Sequence, residues 1–424
     1  MSAETEPAGL SVYDRLHRSD TQLLQWLADG THGYEVATCL GEAEHQLLAP
    51  LARGAAQAQR DPDHRVLILP GVMGSELGRP RAAPWPNDLI WIDPVDVSGG
   101  RLPELTWPDN SGTRALGVIP YTYFALKLRL DAAGFFTDLY SYDWRSDVAS
   151  AGAALAAHIR TLNARHVSIV AHSMGGLLIR AALQCPGMER VRRVVTLGTP
   201  HLGTLGAVQA LRATYPTVRR LAALDPQHSA EQLAQRVFHS FPSLYDLLPA
   251  PGVLTDIDLF DARQWPAFGP RTDAAMLRAA STRMTASPLH DARFLAIAGT
   301  GQRTATALRR AGDDFQYEIS SDGDGTVPMI SAMLAADRTW FDVCEHSGLP
   351  RSERVAQATA ELLRTGETTL LAHEAGVSDV AHVHVTDAQL RNTYSEKVDW
   401  RALSKEERAR YLNQLNLAPP LYQA

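Results

Sequence analysis

The sequence predicts an α/β fold in which helices flank a mostly parallel sheet. Short, continuously apolar runs such as residues 65–70 are typical of parallel strands that are buried on both faces. These runs alternate with helical patterns from about residue 65 to residue 200, as expected of repeated strand–helix–strand units. The third observation lies at residues 167–183, where a strand rich in β-branched residues turns sharply through small residues into a helix.

The places where this alternation starts and stops divide the chain into five segments. A helical N-terminal extension covers residues 1–62, and the first part of the core covers residues 63–204. Helical and Pro-punctuated segments then replace the alternation at 205–290. We expect them to form a cap that lies over a site, excludes water and shapes a pocket. The core resumes at 291–366, and a C-terminal extension covers 367–424.

The composition excludes several classes of protein. The 424 residues carry a formal net charge of −7, whereas a nucleic-acid-binding protein usually has a basic face. The three cysteines, Cys39, Cys185 and Cys344, form neither a disulfide framework nor a CxxC metal site, so no metal or organic cofactor is expected. The start of the chain lacks the pattern of a signal peptide and the sequence has no membrane-spanning apolar run, which predicts a cytoplasmic location. Export without an N-terminal signal stays open.

The most informative motif is the strand–turn–helix around Ser173. In a nucleophile elbow, a Ser is held on a tight turn between a buried strand and a helix, above the carboxyl end of a parallel sheet. Ala171 and Gly175 are small enough to let the strand and the helix approach, although the general pattern has Gly at the first position. The backbone N–H of Met174 begins the helix and could face an oxyanion. The alternative is an ordinary strand–turn–helix unit with an exposed Ser.

A second glycine-bearing loop follows the apolar run at 65–70. Its sequence, Gly71-Val72-Met73-Gly74, lies where α/β hydrolases have the loop that supplies a second oxyanion donor. The N–H of Val72 is the candidate donor, and Gly71 is a candidate substrate-binding position. A plain strand-ending turn is the alternative, and the presence of the elbow favours the oxyanion interpretation.

Acyl transfer by a Ser also needs a base that takes the hydroxyl proton and an acid that orients the base. In α/β hydrolases an Asp or Glu and then a His follow the nucleophile, each on a loop at the carboxyl end of a strand. Asp324 lies between two glycines after an apparent strand, and His346 directly follows the last predicted strand. Ser173, Asp324 and His346 are therefore the predicted catalytic triad.

Four other residues compete for the acid and base roles. Asp322 shares the acid loop and could face the His instead of Asp324. Asp342 lies within the last predicted strand, where its side chain is fixed to the sheet. His201 is a candidate pocket residue after a sheet strand, but it precedes the acid in sequence. His172 flanks the nucleophile and should point sideways, as a hydrogen-bonded support rather than the base.

Two further stretches could contact ligands. Residues 80–118 are rich in Pro, Trp and Asp and have no clean periodicity, which predicts a long loop or small flap at the mouth of the site. Trp85 is a candidate substrate contact, with core packing an equal alternative, and packing is favoured for Trp91. His382 and His384 share one face of an alternating stretch in the C-terminal extension. Without further clustered ligands they favour an exposed strand face over a metal site.

Taken together, these motifs resemble the lecithin:cholesterol acyltransferase-like family of α/β hydrolases. The resemblance spans about 65–365 and is carried, in the family's order, by Pro70-Gly71-Val72-Met73-Gly74-Ser75, Tyr142-Asp143-Trp144-Arg145, Ala171-His172-Ser173-Met174-Gly175-Gly176, Ser240-Phe241-Pro242-Ser243-Leu244-Tyr245-Asp246-Leu247-Leu248-Pro249, Gly323-Asp324-Gly325-Thr326-Val327-Pro328 and His346. It implies a Ser-Asp-His lipid acyl hydrolase or transacylase whose cap binds the acyl chain. It also supports Asp324 over Asp322 and implies oxyanion-hole N–H groups on Val72 and Met174.

We therefore predict a serine esterase of lipase or phospholipase type that acts through an acyl-enzyme. The alternatives are an acyltransferase that passes the acyl group to an alcohol, a toxin-like effector that attacks membrane lipids, and a regulatory protein on a hydrolase scaffold. The expected partners are a lipid or other ester substrate, a membrane surface contacted peripherally, and a protein bound through the terminal extensions, but not nucleic acid. Because kinship of fold does not fix the substrate, the head group and acyl chain stay open.

Overall fold

The computed structural model describes residues 11, 13–14, 19–82, 85–108, 111–285, 291–376, 381–415, 419 and 422, and elements are numbered in chain order within these residues. The strands are β1 His64–Leu69, β2 Ser75–Arg79, β3 Asp88–Trp91, β4 Arg114–Val118, β5 Phe136–Leu139, β6 His166–His172, β7 Val191–Leu197, β8 Phe294–Thr300, β9 Thr304–Ala311, β10 Asp314–Ser320, β11 Thr339–Val343 and β12 Val383–Thr386. The α-helices are α1 Asp20–Asp29, α2 Gly33–Leu40, α3 Glu42–Gln57, α4 Pro94–Ser98, α5 Pro120–Ala132, α6 Val148–Thr161, α7 Gly175–Ala182, α8 Leu205–Leu211, α9 Pro216–Leu224, α10 Ala230–Arg236, α11 Pro242–Asp246, α12 Ala274–Thr285, α13 Met329–Ala332, α14 Glu353–Arg364, α15 Asp387–Arg391 and α16 Lys405–Asn413.

A six-stranded parallel sheet forms the centre of the molecule, with the strand order β11-β8-β7-β6-β1-β5. Successive side chains of a strand point to opposite faces. Thus Val66 and Ile68 of β1 belong to one apolar cluster, and Leu67 and Leu69 belong to another. Burial on both faces explains why this strand is continuously apolar from Val66 to Leu69.

Helices cover both faces of the central sheet. Apolar side chains of α3, α5 and α14 pack on the face of Val66 and Ile68. Those of α6 and α7 pack on the face of Leu67 and Leu69. This arrangement is the α/β-hydrolase fold that the sequence predicts, with a parallel sheet between two helical layers.

The Pro- and Trp-rich segment at 80–118 is better described by the flap alternative than by a long loop. Two of its strands, β3 and β4, pair with β2 in a small antiparallel sheet of order β3-β2-β4. The strands are too short and irregular to show an alternating pattern in the sequence. Trp91 at the end of β3 is 3% exposed and donates its Nε1–H to the carbonyl of Met73 at 2.9 Å. The flap is therefore fastened to the glycine-bearing loop after β1.

A second small sheet joins residues near the acid loop to the C-terminal extension. β9 and β10 form an antiparallel hairpin and β12 pairs with the open edge of β10. The polar stretch before residue 314, in which no strand was expected, thus contains β9. His382 and His384 lie 2.8 Å and 3.7 Å from the carboxylate of Glu318 and are largely exposed, as predicted. Val380, which begins the predicted alternation, lies outside the described residues.

The C-terminal extension packs on the cap. Arg212 at the end of α8 and Asp387 at the start of α15 form an ion pair with an Nε–Oδ2 distance of 2.8 Å, and both side chains are 0% exposed. The hydroxyl of Thr217 in α9 donates to the carbonyl of Leu415 at 3.1 Å. These residues of the C-terminal extension therefore pack on the cap rather than apart from it. The segment boundaries themselves stay a prediction, and the last part of the cap, 286–290, lies outside the described residues.

The N-terminal extension packs through α3 on the core helix α5. The carboxylate of Glu44 accepts a hydrogen bond from Arg351 at 2.9 Å, which joins α3 to the loop before α14. Residues 1–10, on which the expectation about a signal peptide depends, lie outside the described residues. Among the helices that the structure describes, none combines the length and the apolar character needed to cross a bilayer.

Candidate active site

Ser173 stands on a strained turn between β6 and α7. Its φ is +54°, in the left-handed region that residues with a side chain rarely adopt. The Ser173 N–H donates to the carbonyl of Leu197 at 2.9 Å, and the hydroxyl of Thr199 donates to the Ser173 carbonyl at 2.9 Å. A Cβ on Gly175 would lie 2.8 Å from the carbonyl oxygen of Leu69. The small residue is therefore required for the close approach of helix and strand that characterises the elbow.

The buried carboxylate of Asp324 pairs with the imidazole of His346. His346 Nδ1 lies 2.7 Å from Asp324 Oδ2, and the backbone N–H of His346 donates to the Asp324 carbonyl at 2.8 Å. The other carboxylate oxygen accepts the N–H groups of Thr326 at 3.0 Å and Val327 at 2.7 Å. Because an ionised carboxylate only accepts, Nδ1 of a neutral His346 carries the proton and Nε2 carries the lone pair.

The two rival aspartates lie elsewhere. Asp322 is exposed, and its carboxylate accepts a hydrogen bond from the hydroxyl of Ser320 at 3.2 Å. Asp342 is buried in β11 and pairs with Arg354. Of the carboxylates considered from the sequence, the structure therefore brings Asp324 to the imidazole.

The two rival histidines are both buried. Burial, assisted by the nearby positive charge of Arg180, lowers the pKa of His201 to about 3, and neither of its ring nitrogens has a hydrogen-bond partner among the described residues. His172 lies with Nδ1 2.9 Å from the hydroxyl of Tyr123 and Nε2 3.0 Å from the carbonyl of His346. His172 is thus a hydrogen-bonded support beside the Ser, as the sequence predicts.

The acid loop reaches its place by a route that the sequence does not reveal. In sequence Asp324 follows β10, which belongs to the small hairpin sheet rather than to the central sheet. In space it lies against the end of β8, because a Cβ on Gly299 would be 2.6 Å from Asp324 Cβ. A Cβ on Gly198, after β7, would be 2.9 Å from Asp324 Oδ2 and 3.1 Å from His346 Nδ1. The β9–β10 hairpin is therefore an insertion in the chain between β8 and Asp324.

The loop after β1 lies directly against the elbow. A Cβ on Gly71 would be 2.7 Å from Ser173 Cβ and 3.1 Å from its Oγ, so only glycine fits. The φ of Met73 is +63°, and the Gly74 N–H donates to the Gly71 carbonyl at 3.1 Å, which closes a tight turn. Val72 is in this turn and lines the same cavity as Ser173.

Met174 directly follows Ser173 and is fully buried at the N-terminus of α7. The first N–H groups of a helix have no acceptor within the helix, and this end of the helix dipole is positive. Both predicted donor peptides therefore adjoin the Ser: Met174 follows it in sequence, and Val72 follows the glycine that touches it.

Ser173 and His346 line one largely apolar cavity of about 280 Å³. Besides the core, its lining comes from the flap, the cap and both terminal extensions, including Leu23, Val36, Leu40, Trp91, Leu244, Leu247, Leu412 and Leu415. Trp91 and Pro200 are among the described residues that line the cavity. The three predicted substrate-binding residues, Gly71, Trp85 and His201, are not among them. Gly71 lies against Ser173, whereas nothing in this geometry supports substrate contact by Trp85 or His201.

The contribution of the two extensions to this cavity could not be read from the sequence. Leucines at helical spacing, such as Leu23 in α1 and Leu412 in α16, indicate an apolar helix face but not the surface that the face covers. Within the described part of the chain, no group of three or more His, Cys, Asp or Glu side chains is arranged to hold a metal ion.

Comparison with known proteins agrees with this geometry at a coarse level. Residues 146–236 match the family described as "Putative serine esterase (DUF676)". The matched segment contains Ser173 and ends before Asp324 and His346. No curated protein sequence matches the chain.

Several solved structures are similar in fold. The mature lipase BlEst2 of Bacillus licheniformis is 15% identical, with 73% of this chain and 94% of that chain covered and a TM-score of 0.38. Its propeptide form is 15% identical, with 77% and 54% covered and a TM-score of 0.39. A chain of the Tle4-Tli4 complex is 14% identical, with 73% and 100% covered and a TM-score of 0.44.

Proposed function

We propose that the chain is a serine hydrolase that cleaves carboxylic esters of lipids. The observation that carries this proposal is the 2.7 Å contact between Asp324 Oδ2 and His346 Nδ1, at the wall of the same apolar cavity that Ser173 lines. An ionised acid, an oriented imidazole and a Ser on a strained elbow are the parts that nucleophilic acyl transfer requires. The segment around Ser173 that matches a serine esterase family gives separate support.

The proposed reaction has two steps. His346 Nε2 takes the hydroxyl proton while Ser173 Oγ attacks the ester carbonyl, and the N–H groups of Val72 and Met174 stabilise the resulting oxyanion. The protonated imidazole then gives its proton to the leaving alcohol as the acyl-enzyme forms. Water, deprotonated by the same imidazole, attacks the acyl-enzyme and releases the carboxylic acid and the free Ser. Asp324 stays ionised throughout and compensates the imidazolium charge.

The shape of the cavity favours an aliphatic acyl chain. Tyr215 of the cap and Thr326 of the acid loop both line the cavity, and the hydroxyl of Thr217, two residues after Tyr215, donates to the carbonyl of Leu415. A continuous wall of the cavity therefore leads from the acid loop through the cap to Leu415 of the tail. Removal of a chain of methylene groups from water is favourable by about 0.8 kcal/mol per group, so such a wall selects long-chain esters.

The experiment that tests the proposal is labelling with a fluorophosphonate probe, combined with hydrolysis of p-nitrophenyl esters. We expect Ser173→Ala to abolish labelling and to lower kcat by a factor on the order of a million. Ser168→Ala is a matched control, because Ser168 is a buried Ser of β6, the strand before the elbow, and contacts His64. A folded Ser173→Ala protein with wild-type esterase activity would contradict the proposal.

Analysis of the acyl products of the same reaction distinguishes hydrolysis from transfer. When a long-chain alcohol is added, a hydrolase releases only the free acid, whereas an acyltransferase forms the new ester. The narrower resemblance to the lecithin:cholesterol acyltransferase-like family, the cytoplasmic location and a protein partner at the extensions stay predictions.

A further inference from the structure

Three loops of the candidate site are connected by a chain of hydrogen bonds outside the triad. The Gly71 N–H lies 2.9 Å from the hydroxyl of Tyr123, which lies 2.9 Å from His172 Nδ1. His172 Nε2 lies 3.0 Å from the carbonyl of His346. Tyr123 is 1% exposed and His172 is 5% exposed. The hydrogen-bond chain therefore begins at the glycine-bearing loop, passes beside the Ser and ends at the loop of the base, and both of its side chains are buried.

Every proton in this chain has a defined position. A backbone N–H only donates, so the Tyr123 oxygen accepts from Gly71 and its single O–H is left to donate to His172 Nδ1. A carbonyl only accepts, so His172 Nε2 must carry the ring proton that is shared with His346. Burial lowers the pKa of His172 well below its ordinary value, with the nearby His346 as the second cause, so the ring is neutral. Both ends of the chain thus require the same tautomer of His172.

This chain of hydrogen bonds also lies where small displacements would change the rate of reaction. Gly71 precedes the candidate oxyanion donor Val72, and a Cβ on it would be 3.5 Å from His172 Nδ1. A Cβ on Gly74, at the other end of the tight turn, would be 2.6 Å from the Tyr123 oxygen. At the opposite end, the carbonyl that His172 holds belongs to the base itself. A shift of about 1 Å at a reacting group costs on the order of a hundredfold in rate.

We propose that Tyr123 and His172 are positioning residues, which hold the oxyanion-donor peptide of Val72 and the imidazole of His346 in a fixed relation on the two sides of Ser173. This inference deepens the proposed function and depends on it. Neither residue exchanges a proton with the substrate. Their effect is to set the distance between the group that stabilises the oxyanion and the group that moves the proton, two groups that the Asp324–His346 contact does not connect.

Tyr123→Phe tests the proposal because it removes one oxygen from the middle of the chain. We expect kcat for p-nitrophenyl esters to fall about tenfold to a hundredfold while KM changes little, since the apolar wall of the cavity is retained. Tyr245→Phe is the matched control. Tyr245 is also buried, its hydroxyl accepts from the Asp273 N–H at 3.4 Å and donates to the carbonyl of His239 at 3.2 Å, and it does not line the cavity. Its loss should lower the melting temperature by a similar amount and leave kcat within about threefold of wild type, because both hydrogen bonds lie within the cap.

Two substitutions of His172 test its two hydrogen bonds, to Tyr123 and to His346, one at a time. An Asn side chain can place its oxygen near the position of Nδ1 and accept from Tyr123, but it leaves the His346 carbonyl without its donor. A Gln side chain can place its N–H near the position of Nε2 and donate to His346, but it leaves Tyr123 without its acceptor. We expect each variant to lose part of kcat, and Tyr123→Phe to cost little more in the His172→Gln background than His172→Gln alone, because the same link is already broken.

The outcomes distinguish this inference from the proposed function. Failure of the wild-type protein to react with a fluorophosphonate probe overturns the proposed function and this inference together. Labelling of wild type and of Tyr123→Phe at the same rate, with equal kcat, overturns the positioning role alone. A fall in melting temperature for Tyr123→Phe without a fall in the kcat of the folded protein also overturns it, because that result is expected of a hydroxyl that only stabilises the fold.

Discussion

Two aspartates make contacts of nearly equal length in different parts of the molecule. Asp324 lies 2.7 Å from the imidazole of His346, and Asp387 lies 2.8 Å from the guanidinium of Arg212. The first pair is at the wall of the cavity, and the His346 side chain is 14% exposed. The second joins the cap to the C-terminal extension with both side chains 0% exposed. The two carboxylates are therefore similar in burial and in the length of their contacts. The pairs differ in the partner, which is an imidazole in one and a guanidinium in the other.

An imidazole and a guanidinium allow different chemistry. Imidazole gains and loses a proton near neutral pH, so the Asp324 pair can accompany a proton transfer. A guanidinium stays charged, so the pair of Asp387 cannot change its charge during a reaction. Burial raises the pKa of Asp387, with Arg212 the largest opposing influence, so the attraction does not fully offset desolvation. We infer that one pair serves catalysis and that the other specifies how the tail packs on the cap.

Breaking the first pair should have the largest effect on rate. Asp324→Asn leaves the size of the side chain unchanged, but it removes the charge that stabilises the imidazolium and favours the wrong tautomer of His346. We expect kcat to fall by a factor on the order of ten thousand, with little change in the free energy of unfolding. Asp322→Asn, two residues away and exposed, is the control and should match wild type in both assays. Equal losses in the two variants would reject Asp324 as the acid.

Breaking the pair of Arg212 and Asp387 should lower stability and leave kcat nearly unchanged. Arg212→Met leaves Asp387 buried without its main cation, which we expect to lower the free energy of unfolding by about 3–5 kcal/mol. The kcat of the folded protein should stay within a few-fold of wild type. Adding Asp387→Asn should restore part of the stability, because a neutral amide can still accept from Tyr317, whose hydroxyl lies 2.8 Å from the carboxylate. Urea unfolding of the three proteins measures this, and full additivity of the two substitutions would show that the pair is not coupled.

A third variant tests whether the C-terminal extension affects substrate selection as well as stability. Leu415→Trp adds bulk to a side chain that lines the cavity. We expect the ratio of kcat/KM for hexadecanoate and butyrate p-nitrophenyl esters to fall about tenfold or more, since pocket contacts of this kind discriminate by about 1–3 kcal/mol. Leu403→Trp is the control, because Leu403 is a tail leucine that packs on the same core without lining the cavity. Identical chain-length profiles for both variants would separate the tail from substrate selection.

The smallest expected effect concerns Asp246, a buried carboxylate of the cap. Asp246 in α11 accepts from the guanidinium of Arg283 at 2.8 Å and from the Val148 N–H at 2.9 Å, yet burial raises its pKa to about 6. A pKa raised on folding means that the native state holds the proton more tightly. The stability that this proton contributes is present below about pH 4 and is lost as the pH rises through about 6.

In Asp246→Asn this loss is absent. The melting temperature of the variant relative to wild type should therefore increase as the pH is raised from about 4 to about 7, whatever the offset between the two proteins at pH 4. Thermal unfolding across this range gives the measurement. A constant difference between the two proteins would show that Asp246 keeps its ordinary pKa in the folded state.

The contrast between the two pairs also separates what a sequence can and cannot predict. Ser173, Asp324 and His346 follow from local patterns, because an elbow, a glycine-flanked acid and a His after the last strand each have a signature in a few neighbouring residues. Arg212 and Asp387 are 175 positions apart in the chain, and neither has a distinguishing neighbourhood. Their pairing depends on where the tail lies, which no local pattern encodes.

The same reasoning applies to the fold. The apolar run Val66–Leu69 of β1 is evident because these residues are buried on both faces of the sheet. β3 was not expected because its four residues, all buried, are too few to establish a period. β9 was not expected because its buried and exposed residues do not alternate. The acid loop was expected after a strand, and it follows β10, but the sequence does not show that this strand belongs to the small sheet rather than to the central one.

The tail strand β12 has one consequence beyond catalysis. It pairs with the outer side of β10, where Gln316 faces Thr386 and Ile319 faces Val383. Removal of β12 would leave the backbone N–H and C=O groups of β10 unpaired along one edge, and such edges recruit strands from other molecules. Proteolytic loss of the C-terminal segment would therefore make the protein prone to aggregation, with the edge of this small sheet as the site where self-association begins.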